Sequence, residues 1–292
     1  MSTEQQSQDV RHAWVDDVPV AWIEPPAGAG GATVALWLPH LGGDTRACLP
    51  AMCDLAGQGM VAVSLDPWRH GRRGGESPEQ LAERVLGDFR QEMWPLLGRT
   101  TVECVRVLDW AAAELGAGPG AVAGGVSMGG DCAVALAGLD HRVRRAAAVA
   151  GTADWTRPGM CALDDPARLL PQGHAGRHAQ WWFDRLNPLT NIGAYAHGPA
   201  IAFECGADDS HVPPQGALRF RETIEHVYPR HAGRIRVTVH PGAGHLDAAR
   251  DPELTRRCVA WLAQPDNRDS QPDSQPDGPP DSQPGSRPDG PS

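Results

Sequence analysis

Apolar positions recur along this chain with two different periods, and the two alternate. Residues 10–15 and 18–24 flank the polar pair Asp16-Asp17, the pattern of an antiparallel hairpin. Residues 32–38 form an unbroken apolar run, as expected of a strand buried on both faces. Residues 46–58 read as a helix and 60–65 as the next strand. Ser77-Pro78-Glu79-Gln80 is a helix start, with serine as N-cap, proline in the first turn and glutamine closing a capping box. Leu81, Val85, Phe89 and Met93 follow at helical spacing. Thr100-Thr101-Val102-Glu103 offers a second capping box and predicts a separate helix to about residue 115.

The alternation continues with a small-residue strand at 120–124, an alanine-rich helix at 128–137 and a strand at 143–150. It lapses over 151–198, which reads as a partly helical, cap-like insertion after the sixth strand. It resumes as strand 200–205, helix 214–228, strand 234–240 and helix 252–262, the last capped by Asp251-Pro252. Strands alternating with helices predict an α/β fold, with a mostly parallel central sheet and helices on both faces. Ligands of such sheets lie at the carboxyl ends of the strands, so the chemistry belongs in the loops that follow them.

Composition narrows the picture. From about residue 264 the chain is Gln, Pro, Asp, Ser and Gly with a repeated Asp-Ser-Gln-Pro unit, which cannot seed a core. The expected organisation is a flexible N-terminus over 1–9, one domain over 10–263 and a disordered tail over 264–292. The formal net charge is -10, and the chain has no lysine and no basic stripe, which argues against nucleic acid as a partner. Seven cysteines, with no Cys-x-x-Cys pair, read as buried free thiols of a reducing cytoplasm. The first nine residues lack the apolar core of a signal peptide, and no apolar run reaches membrane-spanning length. His174 and His178, with Asp164 and Asp165 upstream, are read as solvated rather than metal-binding. No cofactor is expected, and the sequence carries no signal of oligomeric state.

One motif carries chemistry by itself. Gly125-Val126-Ser127-Met128-Gly129 follows a short strand and precedes an apolar helix. That is the strand–turn–helix setting of a nucleophile elbow, where a strained sharp turn exposes the serine hydroxyl and glycines two residues away avoid collision. The helix N-terminus behind it favours developing negative charge. A plain glycine-rich turn with an ordinary serine is the competing reading.

With this motif, the chain over about 10–263 resembles the α/β-hydrolase family, and within it the dienelactone-hydrolase-like and prolyl-oligopeptidase-like serine esterases. The resemblance implies an acid and a histidine after the serine in chain order. Gly206-Ala207-Asp208-Asp209-Ser210-His211-Val212-Pro213 resembles the family's acid loop and points to Asp209, with Asp208 as the alternative. Pro241-Gly242-Ala243-Gly244-His245, after the last strand, is similar to the family's catalytic-histidine loop and points to His245. The family's oxyanion hole implies the N–H of Met128 and a donor from Pro39-His40-Leu41-Gly42-Gly43-Asp44. There Leu41 stands where glycine is usual, so Leu41 is the expected donor and Gly42 the next. Residues 66–74 resemble the family's Asp-x-x-x-His-Gly-x-Ser loop, a structural marker, with Trp68 available to the acyl pocket.

The implied activity is hydrolysis of a carboxylic ester of small or medium size through an acyl-enzyme on Ser127, with His245 as base and Asp209 orienting it. Dienelactone hydrolases proper use cysteine, so their substrate is not carried over to a chain with Ser127. Aspartate-nucleophile dehalogenases and epoxide hydrolases are set aside on the same ground; a peptidase stays possible, although no propeller is seen before the catalytic domain. His40, Trp68, Trp155, Trp181 and Trp182 are candidate pocket residues; Trp155, Trp181 and Trp182 equally well pack the insertion onto the sheet. A thioesterase, lactonase or cyclase acting in a biosynthetic pathway shares the same residues. A non-catalytic binding protein of this fold typically lacks one of them.

Overall fold

The computed structural model describes residues 10–265. Its eight strands form one sheet in the order β1-β2-β4-β3-β5-β6-β7-β8. β1 (Arg11–Val15) and β2 (Val18–Ile23) pair as an antiparallel hairpin about Asp16-Asp17, with Asp16 at φ 54. β2 also runs antiparallel to β4 (Val61–Leu65). The remainder, β3 (Val34–Leu38), β5 (Ala121–Val126), β6 (Val143–Val149), β7 (Ala200–Gly206) and β8 (Ile235–His240), is parallel throughout.

Strand periodicity divides the core into two layers. In β3, Val34, Leu36 and Leu38 face one layer while Ala35 and Trp37 face the other. The first layer packs beneath α2 (Pro78–Gly87), α3 (Phe89–Glu114), α4 (Met128–Leu139) and α6 (Gln215–Val227). The second packs beneath α1 (Leu49–Gly57) and α8 (Pro252–Leu262). Every residue of β3, β4 and β7 is buried, and β3 accordingly reads as an unbroken apolar run. This is the α/β-hydrolase architecture expected from the alternation of elements.

Several local expectations are met atom by atom. The Ser77 hydroxyl accepts from the Gln80 N–H at 3.3 Å while the Gln80 side chain accepts from the Ser77 N–H at 2.9 Å. Asp251 accepts from the Glu253 N–H at 2.8 Å and caps α8. Six of the seven cysteines are buried free thiols, and Cys53 is half-buried.

The second capping box does not form. Residues 89–114 are one helix that runs through Pro95 and Gly98. Thr101 Oγ1 donates to the Leu97 carbonyl at 2.8 Å, bonding one turn back inside the helix rather than starting a new one. Glu103 is drawn away to a buried ion pair with Arg73, at 2.6 Å. The interruption lies earlier, at Asp88, where φ is -146 between α2 and α3.

The helix expected over 46–58 begins with a tight 3-10 turn at Thr45–Cys48, capped by Asp44. Residues 151–198 hold one helix, α5 (Arg177–Leu186), two short 3-10 turns and a bridge between Cys161 and Leu169. A further short helix, α7 (His245–Arg250), was not expected. Among the described residues no helix is long and apolar enough to cross a membrane. The expectations for residues 1–9 and for the tail past 265 lie outside the described residues.

Candidate active site

Four loops at the carboxyl end of the sheet meet around Ser127, the residue between β5 and α4. Ser127 has φ 51 and ψ -117, a conformation that costs energy for any residue with a side chain. Its surroundings hold it there. The Ser127 N–H donates to the Val149 carbonyl at 2.8 Å, and the Asp131 N–H donates to the Ser127 carbonyl at 3.1 Å.

The flanking glycines are required on steric grounds. A Cβ on Gly129 would lie 2.2 Å from the Leu38 carbonyl oxygen. A Cβ on Gly125 would lie 2.5 Å from the Gly129 carbonyl carbon and 2.7 Å from the Leu38 oxygen. The nearest collisions are with the end of β3 and with the other arm of the elbow. They are backbone against backbone, so no rotamer relieves them.

The structure brings Ser127, His245 and Asp209 together. Ser127 Oγ is 3.1 Å from His245 Nε2, and His245 Nδ1 is 2.8 Å from Asp209 Oδ2. Asp209 sits just past β7 and His245 at the first position of α7, just past β8. The other carboxylate oxygen of Asp209 accepts from the N–H groups of His211 at 3.0 Å and Val212 at 2.7 Å. That fixes the carboxylate plane. Asp208 is exposed, while Asp209 is 3% exposed and makes the contact to the imidazole. Because a carboxylate only accepts, Nδ1 carries the proton and Nε2 is left to accept from the serine.

Leu41 and Met128 are the expected oxyanion donors. Met128 opens α4, where the first N–H has no acceptor inside the helix. The Leu41 N–H donates to no described residue, and Leu41 borders the same cavity as Ser127. His40 borders it too, with Nδ1 2.9 Å from the Leu41 carbonyl oxygen.

A cavity of about 510 Å³ opens on Ser127 and His245. Its walls are mainly apolar, with Trp37, Leu41, Leu86, Val126, Leu163 and Leu246 among them. The four tryptophans expected there are elsewhere. Trp155 is completely buried, and its backbone is held by the Trp94 and Asn187 side chains. Trp68 and Trp182 line a separate hollow with Arg99 and Arg106. Trp181 is 46% exposed and lies under the Arg185 guanidinium. The reason is geometric: α5 lies along α3, so its aromatic residues pack on that helix rather than over the strand ends, and Trp182 fits against Gly98.

The residues that do line the cavity were hard to read in advance. Trp37 is a strand residue, and Leu86, Leu163 and Leu246 carry no motif. Among the described residues no group of three or more His, Cys, Asp or Glu side chains could hold a metal ion. His174 and His178 are both exposed, and His178 accepts from the Trp182 indole at 3.1 Å.

Behind the elbow lies a buried ion pair. Asp131, in the first turn of α4, meets Arg157 at 2.5 Å and accepts from the Thr152 N–H at 2.7 Å. Burial pushes the Asp131 carboxyl above its ordinary pKa, and the Arg157 charge opposes that. The pair ties the loop after β6 to the helix that carries the serine.

Comparison with known proteins agrees with this geometry. Among solved structures the chain is similar to TT1662 from Thermus thermophilus, with TM-score 0.66, 23% identity and coverage of 87% of this chain and 96% of that one. It is similar to the esterase Pf2001 of Pyrococcus furiosus, with TM-score 0.61, 16% identity and coverage of 90% and 95%. It is also similar to prolyl oligopeptidase B of Galerina marginata, with TM-score 0.61, 13% identity and coverage of 88% of this chain but 37% of that one. At these identities the likeness is one of fold. No curated protein sequence matches the chain significantly. The model of the prolyl oligopeptidase family matches residues 87–267, more than half of the 292 residues, and so the chain belongs to that family of α/β-hydrolase-fold serine hydrolases.

Proposed function

We propose that the protein hydrolyses carboxylic esters of small to medium size through an acyl-enzyme on Ser127. The observation that carries this reading is the linear contact Ser127–His245–Asp209 at the mouth of a mainly apolar cavity. His245 Nε2 takes the hydroxyl proton as Ser127 Oγ attacks the acyl carbon. The oxygen of the tetrahedral intermediate is held by the N–H groups of Met128 and Leu41. His245 then gives the proton to the departing alkoxide, and the alcohol leaves. Water repeats the sequence on the acyl-enzyme, releasing the acid and restoring the serine. Asp209 keeps the proton on Nδ1 and stabilises the imidazolium while it exists.

The apolar lining favours an ester over a charged or strongly polar acyl group. Several esterases share the fold, which is in keeping with this reading and does not by itself carry it. The test is hydrolysis of p-nitrophenyl esters from acetate to octanoate by wild type and Ser127→Ala. Turnover that falls by roughly 10⁵-fold or more in the variant, with a fluorophosphonate labelling Ser127 in wild type, is the expected result. Absence of both turnover and labelling would remove the reading.

A further inference from the structure

His211 stands two residues after the acid and lines the same cavity as Ser127 and His245. Its ring lies beside that of His245, with centroids 5.0 Å apart. The side chain is 6% exposed. Nδ1 is 2.9 Å from the carbonyl oxygen of Cys161 in the insertion. A carbonyl only accepts, so the ring proton is on Nδ1.

The ring is also neutral. Burial, and after it the Arg157 charge, pushes its pKa down to about 3. Nε2 is then a bare lone pair. Nε2 has no hydrogen-bond partner among the described residues, and it is not sealed from solvent. The ring cannot easily turn to find one. The Cys161 N–H donates to the Ser210 carbonyl at 2.7 Å, so the segment that holds Nδ1 is itself pinned to the acid loop.

We infer that His211 is a specificity-determining residue, whose Nε2 accepts a hydrogen bond from a hydroxyl or amide N–H carried by the substrate close to the scissile bond. The inference rests on the proposal that Ser127 hydrolyses an ester in this cavity. An ester without a donor covers Nε2, strips its water and leaves a buried acceptor unpaired. An isosteric ester with a donor avoids that loss. The donor belongs to either the acyl or the alcohol portion, and both present the same chemistry to Nε2.

Two isosteric pairs distinguish the sources. The acyl pair is p-nitrophenyl 3-hydroxybutanoate against p-nitrophenyl 3-methylbutanoate. The alcohol pair is 2-hydroxyethyl butanoate against propyl butanoate, followed by acid release. In wild type the hydroxylated member of one pair is expected to have a kcat/KM at least about tenfold higher, and that pair names the side. His211→Asn keeps an N–H for the Cys161 carbonyl but has no acceptor where Nε2 stood, so the ratio is expected to fall to about 1. His211→Gln, which carries an amide oxygen farther out, is expected to recover part of it.

Turnover of all four esters with no preference in wild type overturns the inference and leaves the hydrolase reading intact. A preference that survives in His211→Asn also overturns it. No turnover of any ester, with no labelling of Ser127, overturns the hydrolase reading and the inference with it. Where His211→Asn fails to fold, which circular dichroism shows directly, His211→Phe, which also lacks the acceptor, takes its place.

Discussion

Asp131 and Arg157 meet at 2.5 Å with side chains 0% and 1% exposed, directly behind the nucleophile elbow. Two charges in that setting hold each other in place, and neither tolerates loss of the other. Asp131→Asn leaves the guanidinium buried and uncompensated, at an expected cost of about 3 kcal/mol or more. The double variant Asp131→Leu with Arg157→Met is expected to cost less than the sum of the two single changes. Urea denaturation of wild type, Asp131→Asn, Asp131→Leu, Arg157→Met and the double variant checks both statements.

Asp209→Asn separates orientation from structure. The carboxylate oxygen that accepts from His211 and Val212 can be kept as the amide oxygen, so the loop is expected to stay in place. The amide nitrogen then faces His245 Nδ1 as a donor and favours the wrong tautomer. The expected result is a fall in kcat of about 10⁴-fold with little change in KM, measured on the best p-nitrophenyl ester.

Gly129 and Gly120 give a matched contrast. A Cβ at 129 would meet the Leu38 carbonyl oxygen at 2.2 Å, whereas one at 120 would meet nothing within 4 Å. Gly129→Ala is expected to lose both activity and folded yield. Gly120→Ala is expected to shift stability by no more than about 0.5 kcal/mol. Thermal melts and Ser127 labelling of the two variants read the difference.

His211 makes stability depend on pH in one direction. Above its unfolded pKa of about 6.5 the ring is neutral in both states and contributes no slope. Between that value and its folded pKa of about 3, the unfolded chain binds a proton that the folded chain does not. Folding therefore weakens as the pH falls through this window. Wild type is expected to lose stability more steeply than His211→Phe between pH 6.5 and 4, by up to about 1.4 kcal/mol per pH unit. Urea curves at stepped pH test the sign. Equal slopes would mean that the ring takes up its proton in the folded state.

The two-period pattern was enough to read the fold, because strands buried on both faces cannot hide their apolar runs. The elbow was legible for a related reason: its glycines answer a backbone collision that no other residue avoids. The expected acid and base were named from loop motifs, and the structure sets Asp209 rather than Asp208 against His245. The cavity walls were not legible. Leu86, Leu163 and Leu246 come from three distant segments and share no spacing, so their proximity exists only after folding. The tryptophans misled for the opposite reason: large aromatics draw attention in a sequence, yet Trp155 and Trp182 are spent on joining the insertion to α3. Thr100 and Glu103 misled because a capping box and a mid-helix stretch can carry the same letters.

His245 follows β8, an edge strand that among the described residues pairs only with β7, and lies 118 residues after Ser127. A ribosome therefore releases the serine and its elbow long before it releases the base. A nascent chain folded as far as β6 presents a hydroxyl with nothing to deprotonate it. On the proposed assignments, hydrolytic competence arrives in one step, when the last strand docks and carries its loop into place. On the same assignments, partly made or clipped chains that end before that loop lack the base.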